Sequence, residues 1–314
     1  MRIMLFGFSV TVQRNGYFAA LAEMLSGKHE VTRYAIEAAQ HPLMRHLIDD
    51  ALQSQRPDVV IFEIATGGNR TLPYAEAREW DYRNSISHLI NRCQAFGAKV
   101  GFLRLPRHDV VDDWQRVTDE SVASHVSAPV ETVPFDRELV YDGTHTSPIG
   151  AVEYAKRCLN LLSRIDDSDQ NPGLFALEHD YISVPAVSAL VLGGTFDTFE
   201  RGGYCPGYVK VRGGCYAALR LGETMRVVGF SCIYGPDSGQ LDIFADDTDV
   251  QSLMAYDRRC YYSRPALTAI KHIFVDGLVF RQAPEVPSPL PVKGEKYHGT
   301  RFGRIGHVLA LRKV

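Results

Sequence analysis

Three short segments of this chain carry residue types that together can break an acyl bond. Ser9 stands in Gly7-Phe8-Ser9-Val10-Thr11, directly after an apolar run near the amino terminus. Asp142-Gly143-Thr144-His145 comes far along the chain, and Gly67-Gly68-Asn69 lies between them. A serine hydroxyl is a poor nucleophile unless a base takes its proton during attack on an acyl carbon. Imidazole suits that task, and a carboxylate beside it fixes the tautomer and stabilises the imidazolium that forms. Asp142 and His145 are three residues apart, so one tight turn brings carboxylate to ring, and Gly143 makes that turn easier to build. The fold must then carry this turn over Ser9.

The elements that would do so are legible as a pattern. Short apolar runs occur at Ile3–Phe6, Glu30–Tyr34, Val59–Ile64, Val100–Leu105 and Val130–Phe135. Helical stripes separate them: Tyr17, Phe18, Leu21 and Leu25; Leu43, Leu47, Ile48 and Ala51 behind Pro42; Ile86, Leu89, Ile90 and Cys93; a weaker one from Val111 to Val122. The last stripe runs from Ile149 to Leu162, with Ser147 as N-cap and Pro148 at the first helical position. Alternating strands and helices predict a five-stranded parallel sheet with helices on both faces. Runs without polar alternation, such as Val-Val-Ile-Phe at 59–62, fit a sheet buried on both sides. In such folds function gathers in loops at the carboxyl ends of the strands, and all three segments fall there.

The polar stretch 166–172 marks a linker, 166–176, between an α/β domain, 1–165, and a second domain, 177–314. The second half consists of short segments rich in Val, Ile, Tyr and Phe, punctuated by glycine pairs, which predict an all-β sandwich. Gly-Pro-Asp-Ser-Gly at 235–239 is a hairpin signal between two of its strands. Tyr204, Tyr208, Tyr216, Tyr234, Tyr261 and Tyr262 are either half-buried strand residues or a platform for sugar rings.

Composition narrows the classes. A net charge of −3 leaves no electrostatic footprint for nucleic acid. No apolar run is long enough for membrane insertion. Met1–Gly7 is too short for a signal peptide's apolar region and reads as a first strand, which implies cytoplasmic residence. Cys93, Cys158, Cys205, Cys215, Cys232 and Cys260 include no C-x-x-C pair, so buried thiols are expected and no metal or cofactor.

In order and spacing the three segments resemble the SGNH (GDSL-type) hydrolase family, over about the first half of the chain. The resemblance implies a flavodoxin-like α/β fold with Ser9 as nucleophile and Asp142 and His145 as its partners. It further implies an oxyanion hole from the Asn69 amide and the Ser9 backbone N–H. Three departures are visible: Phe8 and Arg70 stand where the family usually has Asp, and the 35–41 loop has no glycine, leaving an N–H near Ala38 as substitute. Gly68, Arg70, His41 and Arg107 are candidate substrate contacts, while His108 and Arg104 also sit near strand ends, where salt bridging competes with substrate binding. The activity implied is a serine esterase removing a small acyl group, such as acetyl, from a carbohydrate or related polar ester. An O-acyltransferase using the same triad, and an inactive glycan-binding protein, are the alternatives.

Overall fold

The computed structural model describes the chain except Gln40, residues 68–70, Val111, Ala189, Gly193, residues 246–247, 257–261 and 285–296, His298 and Val314. The described residues form two compact units. One comprises Met1–Glu178 with Gly202–Tyr204, the other His179–Arg201 with Cys205–Val314.

The first unit runs β1 (Arg2–Gly7), α1 (Ser9–Val12), α2 (Tyr17–Met24), β2 (Glu30–Ala35), α3 (His41–Met44), α4 (Ile48–Gln55), β3 (Val59–Glu63), α5 (Glu76–Phe96), β4 (Lys99–Arg104), α6 (Trp114–His125), β5 (Val130–Thr132) and α7 (Pro148–Asp166). Its strands pair in parallel in the order β2-β1-β3-β4-β5. Alternate residues of the central strands serve opposite faces. Ile3, Leu5, Val59, Ile61 and Leu103 pack with Tyr17 and Leu21 of α2 and with Tyr154, Cys158, Leu161 and Ile165 of α7. On the other face Phe62 meets Phe6 and Phe102 with ring centroids 5.8 and 5.4 Å apart. The chain leaves β1 for β2 on one side and later returns to β3 on the other. That reversal opens a crevice at the carboxyl ends of β1 and β3, where ligands bind in sheets of this kind.

Local chemistry explains the helix ends. The Ser147 side chain accepts a hydrogen bond from Gly150 N–H, and Pro148 opens α7. The stripe behind Pro42 is interrupted: α3 passes through a 3-10 turn at Arg45–Leu47 before α4 begins. Residues 166–178 lie on the first unit. Gln170 pairs with both backbone groups of Val100 at 2.9 and 2.7 Å, and Asn91 does the same for Phe175 at 3.0 and 2.8 Å.

The second unit is an antiparallel β-sandwich of β6 (His179–Pro185), β7 (Leu190–Leu192), β8 (Thr195–Thr198), β9 (Gly207–Arg212), β10 (Tyr216–Tyr234), β11 (Gln240–Ala245), β12 (Thr248–Met254), β13 (Arg264–Gln282) and β14 (Phe302–Lys313). Their order is β12-β11-β13-β10-β14-β9-β8, with β6 on β14 and β7 on β10. Three strands are long, and one edge of β14 serves β9 at 302–305 and then β6 at 307–313. Register shifts within β10 let it bend while staying paired.

The 235–239 segment is not a hairpin. β13 lies between β10 and β11, so the turn crosses over a strand and pairs instead with Phe302 at the start of β14. Tyr204 and Tyr208 are fully buried and offer no face to a sugar, whereas Tyr216 is exposed. Tyr261 and Cys260 lie outside the described residues.

Candidate active site

Ser9 is the first residue of α1, two residues beyond β1. Its Oγ lies 3.0 Å from His145 Nε2, and His145 Nδ1 lies 2.7 Å from Asp142 Oδ2. With the Nδ1 proton directed at the carboxylate, Nε2 keeps its lone pair for the serine hydroxyl proton. The fold thus brings together three side chains from opposite ends of the unit in the arrangement a serine nucleophile needs.

The turn that carries Asp142 and His145 is closed at its base. Val140 and Thr146 bridge as an antiparallel pair, and Tyr141 N–H donates to His145 O at 3.0 Å. Inside the turn, Asp142 Oδ1 accepts the backbone N–H groups of His145 at 2.8 Å and Thr144 at 3.1 Å. Partial burial pushes the Asp142 carboxyl upward, but these bonds and the imidazole hold it below the usual range. Gly143 has φ +86°, and a Cβ there would lie 2.2 Å from His108 Nδ1. The His108 backbone N–H in turn donates to Gly143 O at 3.0 Å.

A residue without a motif joins this turn to the helix of Ser9. Gln13, which caps α1, donates through Nε2 to Thr146 O at 2.8 Å. Its Oε1 accepts from Thr146 N–H at 3.0 Å and from the Thr146 hydroxyl at 2.9 Å. One amide therefore ties the helix of Ser9 to the residue after His145. Nothing local marks Gln13, because its partner is 133 positions away.

The other expected site residues divide. Asn69, Gly68 and Arg70 lie outside the described residues, and His41 is the first residue of α3. Ala38 is exposed in the loop after β2 with φ +53°, the left-handed conformation that glycine adopts without strain. Arg107, expected among substrate contacts, braces the loop after β4: it donates to Asp109 through two bonds of 2.8 and 2.6 Å and to Thr66 O at 2.7 Å. Arg104 is buried and paired with Asp113 and Asp119. Phe8, where an Asp was expected, is buried under Gly67, where a Cβ would come within 2.8 Å of its ring.

Beside the turn is a cavity of about 430 Å³, lined by His108, Phe135, Arg137, Val140, Tyr141, Asp142 and Gly143. Phe135 and Tyr141 are both exposed, and the Tyr141 ring stacks on that of His145 at 5.8 Å. Among the described residues no three His, Cys, Asp or Glu side chains converge as metal ligands would. No helix among them is long and apolar enough to cross a membrane.

No protein-family model and no curated protein matches this sequence. Solved structures do match. A two-domain esterase (CEX) active on acetylated mannans, co-crystallised with mannopentaose, aligns over 100% of this chain and 91% of its own at 13% identity and TM-score 0.67. A second crystal structure of that esterase covers 100% and 92% at 13% identity and TM-score 0.66. An acetyl xylan esterase, AlAXEase, aligns over 51% of this chain and 98% of its own at 17% identity and TM-score 0.44. Identities this low speak to fold. This chain accordingly has the fold of that two-domain esterase, with a parallel α/β unit followed by an antiparallel β-sandwich.

Proposed function

We propose that the first unit is a serine esterase that removes a small acyl group, acetyl foremost, from a carbohydrate. The observation that carries this is the continuous contact from Ser9 Oγ to His145 Nε2 and from His145 Nδ1 to Asp142, at 3.0 and 2.7 Å. In the first step Ser9 Oγ bonds to the acyl carbon while its proton passes to His145 Nε2. Collapse of the tetrahedral species breaks the ester C–O bond, and the imidazolium gives its proton to the departing sugar oxygen, which leaves as a hydroxyl. Water then repeats the cycle on the acyl-serine and releases the free acid. The oxyanion is met by the Ser9 N–H, the Asn69 amide and an N–H near Ala38, each donor worth about 10²–10³ in rate. The positive φ of Ala38 supports that third assignment, since it is the backbone a glycine would adopt there.

Carbohydrate is favoured by two features. The matched fold belongs to an esterase active on acetylated mannans. The cavity beside Asp142 pairs exposed aromatic faces, which stack on pyranose rings, with the polar groups of Arg137 and His108. Transfer of the acyl group to a sugar hydroxyl differs only in the acceptor.

Intact-mass analysis after a fluorophosphonate probe tests the nucleophile. A single adduct on the wild type, absent from Ser9→Ala, is expected. Acetate release from acetylated oligosaccharides, with no gain of acylated product when sugar acceptors are added, then separates hydrolysis from transfer. A folded wild type that takes no adduct and cleaves no ester would refute the proposal.

A further inference from the structure

We propose that Glu63 is a positioning residue for the nucleophile, a buried carboxylate that ties the segment bearing Ser9 to the loop after β3. It rests on the esterase assignment above. Glu63 ends β3, in register with Gly7 at the end of β1, and it is wholly buried. Oε2 accepts from the hydroxyl of Thr11, two residues past Ser9, at 3.0 Å. Oε1 accepts from the hydroxyl of Thr66 at 2.8 Å and from its backbone N–H at 3.3 Å. The backbone N–H of Phe8, adjoining Ser9, donates to the same carboxylate. All four donors belong to the two segments that carry the nucleophile and lead to Asn69.

The arrangement has a fixed polarity. A carboxylate only accepts, so Thr11 must donate to it. The Tyr17 hydroxyl, 2.8 Å from Thr11 Oγ1, must therefore donate to Thr11. An amide or a protonated carboxyl brings a donor of its own among these four donors, so the bonds from Thr11, Thr66 and Phe8 cannot all be kept as they are.

Burial raises the Glu63 pKa to about 7 even though the hydrogen bonds from Thr66, Thr11 and Phe8 oppose it. The ionisable groups around it are neutral: Tyr17 on α2, Tyr154 on α7, and Cys158 beside Tyr17, all shifted upward, chiefly by burial. Arg33 of β2 influences Tyr17, but its guanidinium lies on the carbonyl oxygens of Thr11 and Val12. The Glu63 charge is thus held by hydrogen bonds and takes up a proton near neutrality.

The test is kcat, KM and fluorophosphonate labelling rate from pH 5 to 9 for wild type, Glu63→Gln, Thr11→Val and Thr11→Ser. At pH 8 Glu63→Gln should lose about 10- to 100-fold in kcat and labelling rate with KM within about twofold, as a small misplacement of a reacting group does. The acid limb of log kcat should be steeper in the wild type than in Glu63→Gln, because only the wild type can take up a proton at position 63. Thr11→Val should show the same loss and Thr11→Ser should restore activity, which decides the matter if Glu63→Gln does not fold. Folded Glu63→Gln or Thr11→Val with wild-type kcat and acid slope would overturn the positioning role alone. A wild type without labelling or ester cleavage would overturn the esterase assignment and this role with it.

Discussion

Alanine at position 143 attacks the turn that holds the carboxylate against the imidazole without touching either group. Gly143 sits at φ +86°, where an L-residue costs about 1–2 kcal/mol. Its new Cβ would lie 2.2 Å from Nδ1 and 2.6 Å from Cγ of His108, so the ring or the turn must move. If residue 108 moves, the bond from its N–H to Gly143 O is also lost, worth about 1 kcal/mol. The local cost is therefore about 2–3 kcal/mol, in an exposed turn that can open by itself without unfolding the unit. Tm should change little while kcat falls. A 1 Å displacement of Asp142 from His145 costs about 10² in rate, and complete loss of the carboxylate about 10⁴, so kcat should fall between those limits. The assay is kcat on a small aryl acetate with labelling rate and thermal unfolding in parallel. His108→Ala removes the ring that the Cβ meets, so the double variant should regain the steric part and keep the φ strain. A double-mutant cycle should then show a coupling of about 1–2 kcal/mol in kcat. A folded Gly143→Ala enzyme within threefold of wild type would refute the reasoning. So would a double variant no faster than the single one.

Further outcomes follow from the same geometry. Asp142→Asn should keep its fold and lose about 10⁴ in kcat through the wrong imidazole tautomer; a loss under tenfold would remove Asp142 from the triad. Ala38→Gly should gain up to about 1 kcal/mol in urea unfolding, because relief of left-handed strain exceeds the added chain entropy of glycine; destabilisation would show that Ala38 is not strained. Glu63 makes stability depend on pH. Its pKa rises from an ordinary 4.5 to about 7 on folding, so the native state holds this proton more tightly. The resulting stability is fully present below pH 4.5, is lost as pH rises through 7, and amounts to about 3 kcal/mol. Unfolding free energies from pH 4.5 to 8 should fall more steeply for wild type than for Glu63→Gln, and parallel profiles would contradict the assignment.

What was legible in the sequence was local. Runs such as Val59–Phe62 lack polar alternation because both faces of their strand are covered, and that alone marks a parallel, helix-sandwiched sheet. Ser147 and Pro148 announce the start of α7 because a cap needs only its neighbours. Asp142 and His145 meet across three residues, so their contact was also within reach of spacing. The tertiary structure alone decided the rest, because it depends on partners far along the chain. Gln13 and Glu63 look like any polar residues at the end of a helix and a strand until Thr146 and Thr11 arrive beside them. The 235–239 turn has the right residues for a hairpin, but local turn chemistry cannot show that β13 inserts between the strands it joins. The partners of Arg107 within the protein, Asp109 and the Thr66 carbonyl, were likewise visible only in the structure. Short-range steric and hydrogen-bonding preferences act through neighbours and can be read in order. Polar contacts between distant segments form only where packing of the apolar core has placed them.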